Sequence, residues 1–171
     1  MHDNSSCRLE ALTAVPYLLS DGISLFCFDF AGCGNSEGEY ISLGWFERDD
    51  LSLIIDYIRK ERRASTIGLW GRSMGAVTAL LHGYRDQGIA SMVLDSPFSD
   101  IKILVYELAK QHTKLPLFLV KGAMKLVRST IKSKVNFDVK DLAPVKYVSK
   151  CYFPALFAVG LHDDFIQPHH S

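Results

Sequence analysis

The stretch Leu69-Trp70-Gly71-Arg72-Ser73-Met74-Gly75-Ala76 limits what this chain can fold into more than any other. Ser65–Trp70 carries β-type side chains and Ala76–Leu81 helix-type ones, so the stretch reads as a strand, a sharp turn and a helix. Glycines stand two residues before and two residues after Ser73, the G-x-S-x-G spacing of a nucleophile elbow. Side chains at Gly71 and Gly75 would collide with the neighbouring strand and helix. Such a turn sets Ser73 Oγ at the top of a sheet and at the start of a helix. Developing negative charge is favoured there. A plain structural Gly-Ser turn is the alternative, and the strand before and the helix after favour a serine nucleophile.

The remaining chain repeats the alternation of strand and helix. A helical stretch with Leu9, Leu12, Val15 and Leu18-Leu19 on one face should be kinked or divided by Pro16. Ile23–Phe28 reads as a fully buried strand, and Asp29–Gly38 as a glycine-rich loop. A helix beginning near Gly44-Trp45 carries the stripe Leu51, Ile54, Ile55, Ile58, with Lys60, Arg62 and Arg63 suited to its C-terminus. The elbow helix shows Met74, Val77, Leu81 and Tyr84 as its apolar stripe. Ile89–Leu94 is another buried strand, ending at Asp95. Residues 99–149 are mostly helical, and Ala155–Val159 is the last strand. This order predicts one α/β domain over residues 1–171: a mainly parallel sheet with helices on both faces and a helical lid inserted at 99–149. Active groups then belong in loops at the strand C-terminal ends.

With 171 residues, 48% of them hydrophobic and 22% charged, the chain is long enough for a real core and too apolar for disorder. Zero formal net charge argues against a nucleic-acid-binding surface. Cys7, Cys27, Cys33 and Cys151 form no C-x-x-C pair and read as free thiols of a reducing compartment, hence a cytoplasmic protein. No apolar run approaches the ~18 residues of a membrane span.

Taken together, four segments resemble the α/β-hydrolase superfamily, in particular its serine aminopeptidase-like branch and the depalmitoylating relatives of that branch. His2-Asp3-Asn4-Ser5-Ser6 resembles the family's His-Gly-Asn loop. Asp29-Phe30-Ala31-Gly32-Cys33-Gly34-Asn35-Ser36 resembles its Asp-x-x-Gly-x-Gly-x-Ser loop. Gly71–Gly75 is its elbow, and Gly160-Leu161-His162-Asp163-Asp164 resembles its acid loop. The resemblance implies acyl transfer on an ester, thioester or amide through a covalent Ser73 intermediate, with no cofactor or metal. The oxyanion would be held by backbone N–H groups of Met74 and of Asn4 or Ser5. Counted from Gly160 the triad acid is Asp163, and counted from Pro168 it is Asp164; Asp95, at another strand end, is the outside alternative.

Two departures accompany the resemblance. Asp3 stands where the family has glycine, placing a carboxylate beside the oxyanion hole. No residue takes the place of the catalytic histidine, which in the family follows one further strand. A strand that in the family's sheet lies between Ile23–Phe28 and the elbow strand is also lacking, so both neighbours need another partner. The sequence reads as an internal piece of a hydrolase, without the N-terminal strands and the last strand. Two readings of function follow: a fragment of a serine hydrolase lacking its histidine, or a non-catalytic binding or scaffold protein. His162, His169 and His170 read as solvated loop residues, and His82 and His112 as surface or packing residues.

Other signals are set aside. Gly32, Gly34 and Gly38 miss the dinucleotide-binding spacing, and no helix opens from their loop. Asp29 then fixes that loop by hydrogen bonds, and Asp49-Asp50 complement a helix dipole. Between Ile101 and Lys150 basic residues heavily outnumber acids. Within helix 117–134, Lys121, Lys125, Arg128 and Lys132 share one face, and Val120, Met124, Val127 and Ile131 the neighbouring one. One reading is a lid with its apolar side over the active site. The sharper one is an interfacial helix that meets anionic membrane and delivers acyl substrates to the site.

Overall fold

The computed structural model describes residues 1–61, 64–113 and 115–171. Near the N-terminus a 3₁₀ segment, Arg8–Thr13, gives way to the short helix α1 (Val15–Ser20). Pro16 sits in the first turn of α1, where its missing N–H costs no hydrogen bond, so the predicted helix is divided at Ala14. Helix α2 spans Glu47–Lys60, starting later than Gly44-Trp45. Buried Glu47 causes this delay: its carboxylate accepts the N–H groups of Ser42 and Gly44, both at 2.8 Å, and ties down the entry turn. The basic residues Arg62 and Arg63, expected at its C-terminus, lie outside the described residues.

Strand β1 (Gly68–Arg72), helix α3 (Met74–Gly83) and strand β2 (Ser91–Asp95) form a strand–helix–strand unit, and β3 (Ala155–Ala158) completes a three-stranded sheet of order β1-β2-β3. Both pairings are parallel, with Gly68 opposite Ser91 and Met92 opposite Ala155. Every residue of α3 is buried, Thr78 and His82 included, so burial goes beyond the single apolar stripe that the spacing predicts. On one side Ala76, Ala79 and Leu80 meet Leu51 and Ile55 of α2 with Leu69 and Met92 of the sheet. On the other, Val77 and Leu81 meet Phe98, Phe137, Leu142 and Ile166.

The expected buried strand Ile23–Phe28 is not a strand. It joins no strand ladder among the described residues, and Ile23 and Phe26 are 51% and 50% exposed. An apolar run makes a strand only where another backbone lies beside it, and here an open groove separates it from β1. Residues 99–149 hold α4 (Ile101–His112) and α5 (Leu117–Val135), followed by three short 3₁₀ turns. Among the described residues no helix is long and apolar enough to cross a membrane.

Candidate active site

Ser73 links β1 to α3 with φ +48° and ψ −111°, a conformation L-residues adopt only under constraint. Its N–H donates to Asp95 O at 2.8 Å and its C=O accepts from Val77 N–H at 3.0 Å, so both neighbours hold the turn. The flanking glycines have steric causes. A Cβ on Gly71 would stand 2.3 Å from the carbonyl carbon of Gly75, and one on Gly75 would stand 2.5 Å from Met1 O. The second clash shows that the N-terminal loop presses directly against the start of α3.

Ser73 opens into a cleft of about 600 Å³ walled by Asn4, Ser5, Asp95, Asp163 and Ile166. Three loops therefore meet at the strand ends: the N-terminal loop, the elbow and the loop after β3. Asp163 is half-buried, and its Oδ1 accepts the N–H groups of Phe165 and Ile166, both at 2.9 Å. Asp164 is exposed and is not part of the cleft wall. Asp95 is drawn to Arg72, whose Nε donates to it at 2.7 Å. That bond raises the guanidinium pKa still further.

The two candidate oxyanion donors from the N-terminal loop differ. Asp3 Oδ1 accepts both the N–H of Ser5, at 2.7 Å, and its hydroxyl, at 2.9 Å. This commits the Ser5 N–H within its own loop. The N–H groups of Asn4 and Met74 make no hydrogen bond among the described residues.

Residues 4–151 match the family described as serine aminopeptidase, S33. The chain belongs to that family. As an S33 family member it is 28% identical over 162 residues to the uncharacterized protein YqkD of Bacillus subtilis (strain 168), covering 92% of this chain and 52% of that protein. It is 24% identical over 156 residues to a proline iminopeptidase of Lactobacillus delbrueckii subsp. lactis, covering 86% of this chain and 48% of that enzyme. The chain thus spans about half the length of these curated relatives. Among solved structures, the Pyrococcus furiosus esterase Pf2001 superposes with a TM-score of 0.75 at 23% identity, over 99% of this chain and 63% of that one. A Paleococcus ferrophilus monoacylglycerol lipase gives a TM-score of 0.68 at 20% identity, over 99% of this chain and 75% of that one. Family and solved structures together give the chain the α/β-hydrolase fold.

In this S33 family member no histidine lines the cleft among the described residues. His2 is buried and accepts the Phe30 N–H at Nε2, 3.1 Å away, so its Nδ1 proton goes to Asp3 O at 2.6 Å. His82 is also buried, which lowers its pKa, and meets Ser52 and Asp86 away from the site. His162 is exposed on the acid loop. His170, expected to be solvated, is buried and donates from Nε2 to Glu107 at 2.9 Å, with His169 on the same carboxylate. These three groups have a metal-like spacing. However, the Ser99 N–H donates to His170 Nδ1 at 3.2 Å, which fixes the proton on Nε2. A protonated nitrogen donates and does not ligate, so the cluster fastens the last turn to α4.

Asp29 holds the glycine-rich loop as expected. Its carboxylate accepts the N–H groups of Asn35 (3.0 Å) and Arg8 (2.6 Å) and pairs with the Arg8 guanidinium. These bonds, led by the Asn35 N–H, lower its pKa to about 2. Sequence reasoning missed Glu47; the only available signal was Ser42-x-x-x-x-Glu47 at a helix start.

Helix α5 differs from the lid reading. It packs on the core through Ile131 and Val135, Val120 and Met124 are half-buried, Val127 is 51% exposed, and Arg128 is turned to Asp138 (Nε–Oδ1 2.6 Å). Neither α4 nor α5 lines the Ser73 cleft.

Proposed function

We propose that this chain carries the nucleophile and acid of a serine hydrolase acting on an ester, thioester or amide. The observation that carries the reading is the strained backbone of Ser73, held at the N-terminus of α3 and facing an open cleft. Ser73 Oγ attacks the acyl carbon, its proton passes to a base, and the leaving group departs with a proton. Water then releases the acid from the acyl-serine. Negative charge on the carbonyl oxygen falls near the N–H groups of Met74 and Asn4. Asp163 is the triad acid on this reading: it lines the cleft, two backbone N–H groups orient it, and its Oδ2 has no hydrogen-bond partner among the described residues. The described residues bring no imidazole to that position, so the base must come from elsewhere.

Phosphonylation by a fluorophosphonate probe tests the reading. Ser73 should label slowly, imidazole in the buffer should speed labelling, and Ser73→Ala should abolish it. A folded chain that never labels supports the second reading, a binding or scaffold protein. The Asp3 carboxylate beside the hole favours that reading, because it opposes an oxyanion and already occupies the Ser5 N–H.

A further inference from the structure

Among the described residues, Arg8, Arg59, Arg72, Arg85 and Arg128 each pair with a carboxylate, and their side chains are between 32% and 53% exposed. Arg48, in the first turn of α2, is the reverse case. It is 6% exposed, and its Nε and Nη1 are closed off from solvent with no hydrogen-bond partner among the described residues. The acids beside it in sequence are engaged elsewhere. Glu47 accepts the N–H groups of Ser42 and Gly44, Asp49 pairs with Arg85, and Asp50 accepts the Ala31 N–H. Burial lowers the pKa of the Arg48 guanidinium, yet an arginine keeps its proton inside a protein. A buried charge with neither counter-ion nor hydrogen bonds opposes folding, so this one calls for a partner from outside the chain.

Three parts of the chain surround it. At the start of α2 the guanidinium lies over the Trp45 ring, 3.5 Å from its centroid, and Trp45 is stacked on Phe137. The ring covers one face of the guanidinium and leaves its N–H edges unmatched. After α3 come Tyr84 and Arg85, with Arg85 Nε donating to the Tyr84 hydroxyl at 3.4 Å. From the end of the 99–149 insertion Tyr147 stacks on Tyr84, their centroids 4.6 Å apart, and Lys150 Nζ lies 5.8 Å from the Tyr147 ring. After burial, the Arg85 charge lowers the Arg48 pKa most, while Tyr84, Asp49 and Tyr147 act the other way. Against these three cations stand Asp49, already paired with Arg85, and Asp141, whose charge reaches Tyr147. None of these residues lines the Ser73 cleft.

We propose that Arg48, Arg85 and the hydroxyls of Tyr84 and Tyr147 form a binding site for a small tetrahedral oxyanion, a free phosphate or the phosphate end of a small ester. A trapped water would satisfy an N–H group and leave the charge unmatched. A carboxylate offers one charge to two guanidiniums. A phosphate offers close to two charges and oxygens directed to several donors at once. The enclosure of Nε and Nη1 limits the ligand to a small one, which enters beside exposed Arg85 as the Tyr147 turn gives way. Once bound, it ties the start of α2, the end of α3 and the end of the insertion together.

The test titrates the chain as it exists with sodium phosphate, sodium chloride holding the ionic strength constant. The expected result is a saturable shift of the Trp45 indole N–H signal in NMR spectra. The thermal midpoint should rise by about 3 °C or more at ten times the dissociation constant, as mass action gives for a domain of this size. Arg48→Lys keeps a charge and loses the fork, and should weaken binding at least about tenfold. Arg48→Met should abolish binding and match or exceed the parent's midpoint in phosphate-free buffer, because the unmatched charge is gone. Should the methionine variant not fold, the lysine variant decides alone. Glycerol 3-phosphate separates the sources: tighter binding than phosphate assigns the site to an ester, weaker binding to the free ion, and both support the proposal. A response to phosphate no larger than that to chloride would overturn it. So would equal responses of the parent and Arg48→Lys, which would mean an adventitious ion only. None of these outcomes depends on the reactivity of Ser73.

Discussion

Gly75 is the residue on which the nucleophile turn and the N-terminal loop both depend. A methyl group there meets Met1 O at 2.5 Å and His2 O at 2.8 Å, both of them backbone atoms that cannot rotate away. Gly75→Ala should therefore cost about 1–3 kcal/mol, the usual range for forced overpacking, and should move Asn4 away from the cleft. Urea unfolding measures the first effect, and lost fluorophosphonate labelling of a still-folded variant measures the second. Asp29 makes a prediction about pH. Its folded pKa of about 2 lies below the 3.8 of an unperturbed aspartate, so its contribution to stability is complete above about pH 4 and disappears as pH falls toward 2. Asp29→Asn should flatten the acid side of the stability curve, read from denaturation midpoints between pH 2 and 5. The sequence made the elbow, both of its glycines and the role of Asp29 legible, because each is a local backbone requirement. It could not reveal that Asp3 occupies the Ser5 N–H, since glycine was expected there and only the folded loop turns the carboxylate inward.

At the scale of elements, periodicity located the helices but not always the faces they bury. The α2 stripe was legible because Leu51, Ile55 and Ile58 are buried, the first two against α3 and the sheet. In α5 the apolar face read from spacing, Val120, Met124, Val127 and Ile131, is half-buried at every position but Val127. The fold packs Ile131 and Val135 on the core and leaves Phe118, Leu126 and Val127 in water, at 71%, 73% and 51% exposure. The proposal that α5 meets anionic lipid gains those exposed apolar residues and loses Arg128, which is held by Asp138. Lys121 and Lys125 are the exposed cations in its first turns. Reversing both to glutamate should lower co-sedimentation with phosphatidylserine vesicles roughly tenfold or more, at about 1 kcal/mol per basic residue near such a surface. Neutral vesicles should show no change. Unaltered partitioning into the anionic vesicles removes lipid from the account of α5.

For the whole molecule, strand order was legible where strand and helix alternate and failed at Ile23–Phe28. An apolar run specifies an extended conformation; a sheet is a relation between two backbones, and only the fold says whether the second is present. The asymmetry has a measurable consequence. Local stability follows backbone pairing and burial, so amide exchange should divide the sheet sharply along β1. The amides of Ser73, Ala90 and Met92, bonded to Asp95, Ile67 and Pro154, should exchange slowly, together with those inside α3. The amides of Gly68 and Trp70, one residue away on the same strand, should exchange near the rates of exposed peptide, as should those of residues 24–28. Native-state exchange by NMR in dilute protein separates the two sets. Uniform protection across β1 would mean that the groove is already filled. Rapid exchange at Ser73 as well would mean that the elbow lacks the rigid support its chemistry requires, because the bond to Asp95 O ties the nucleophile's own backbone to the sheet.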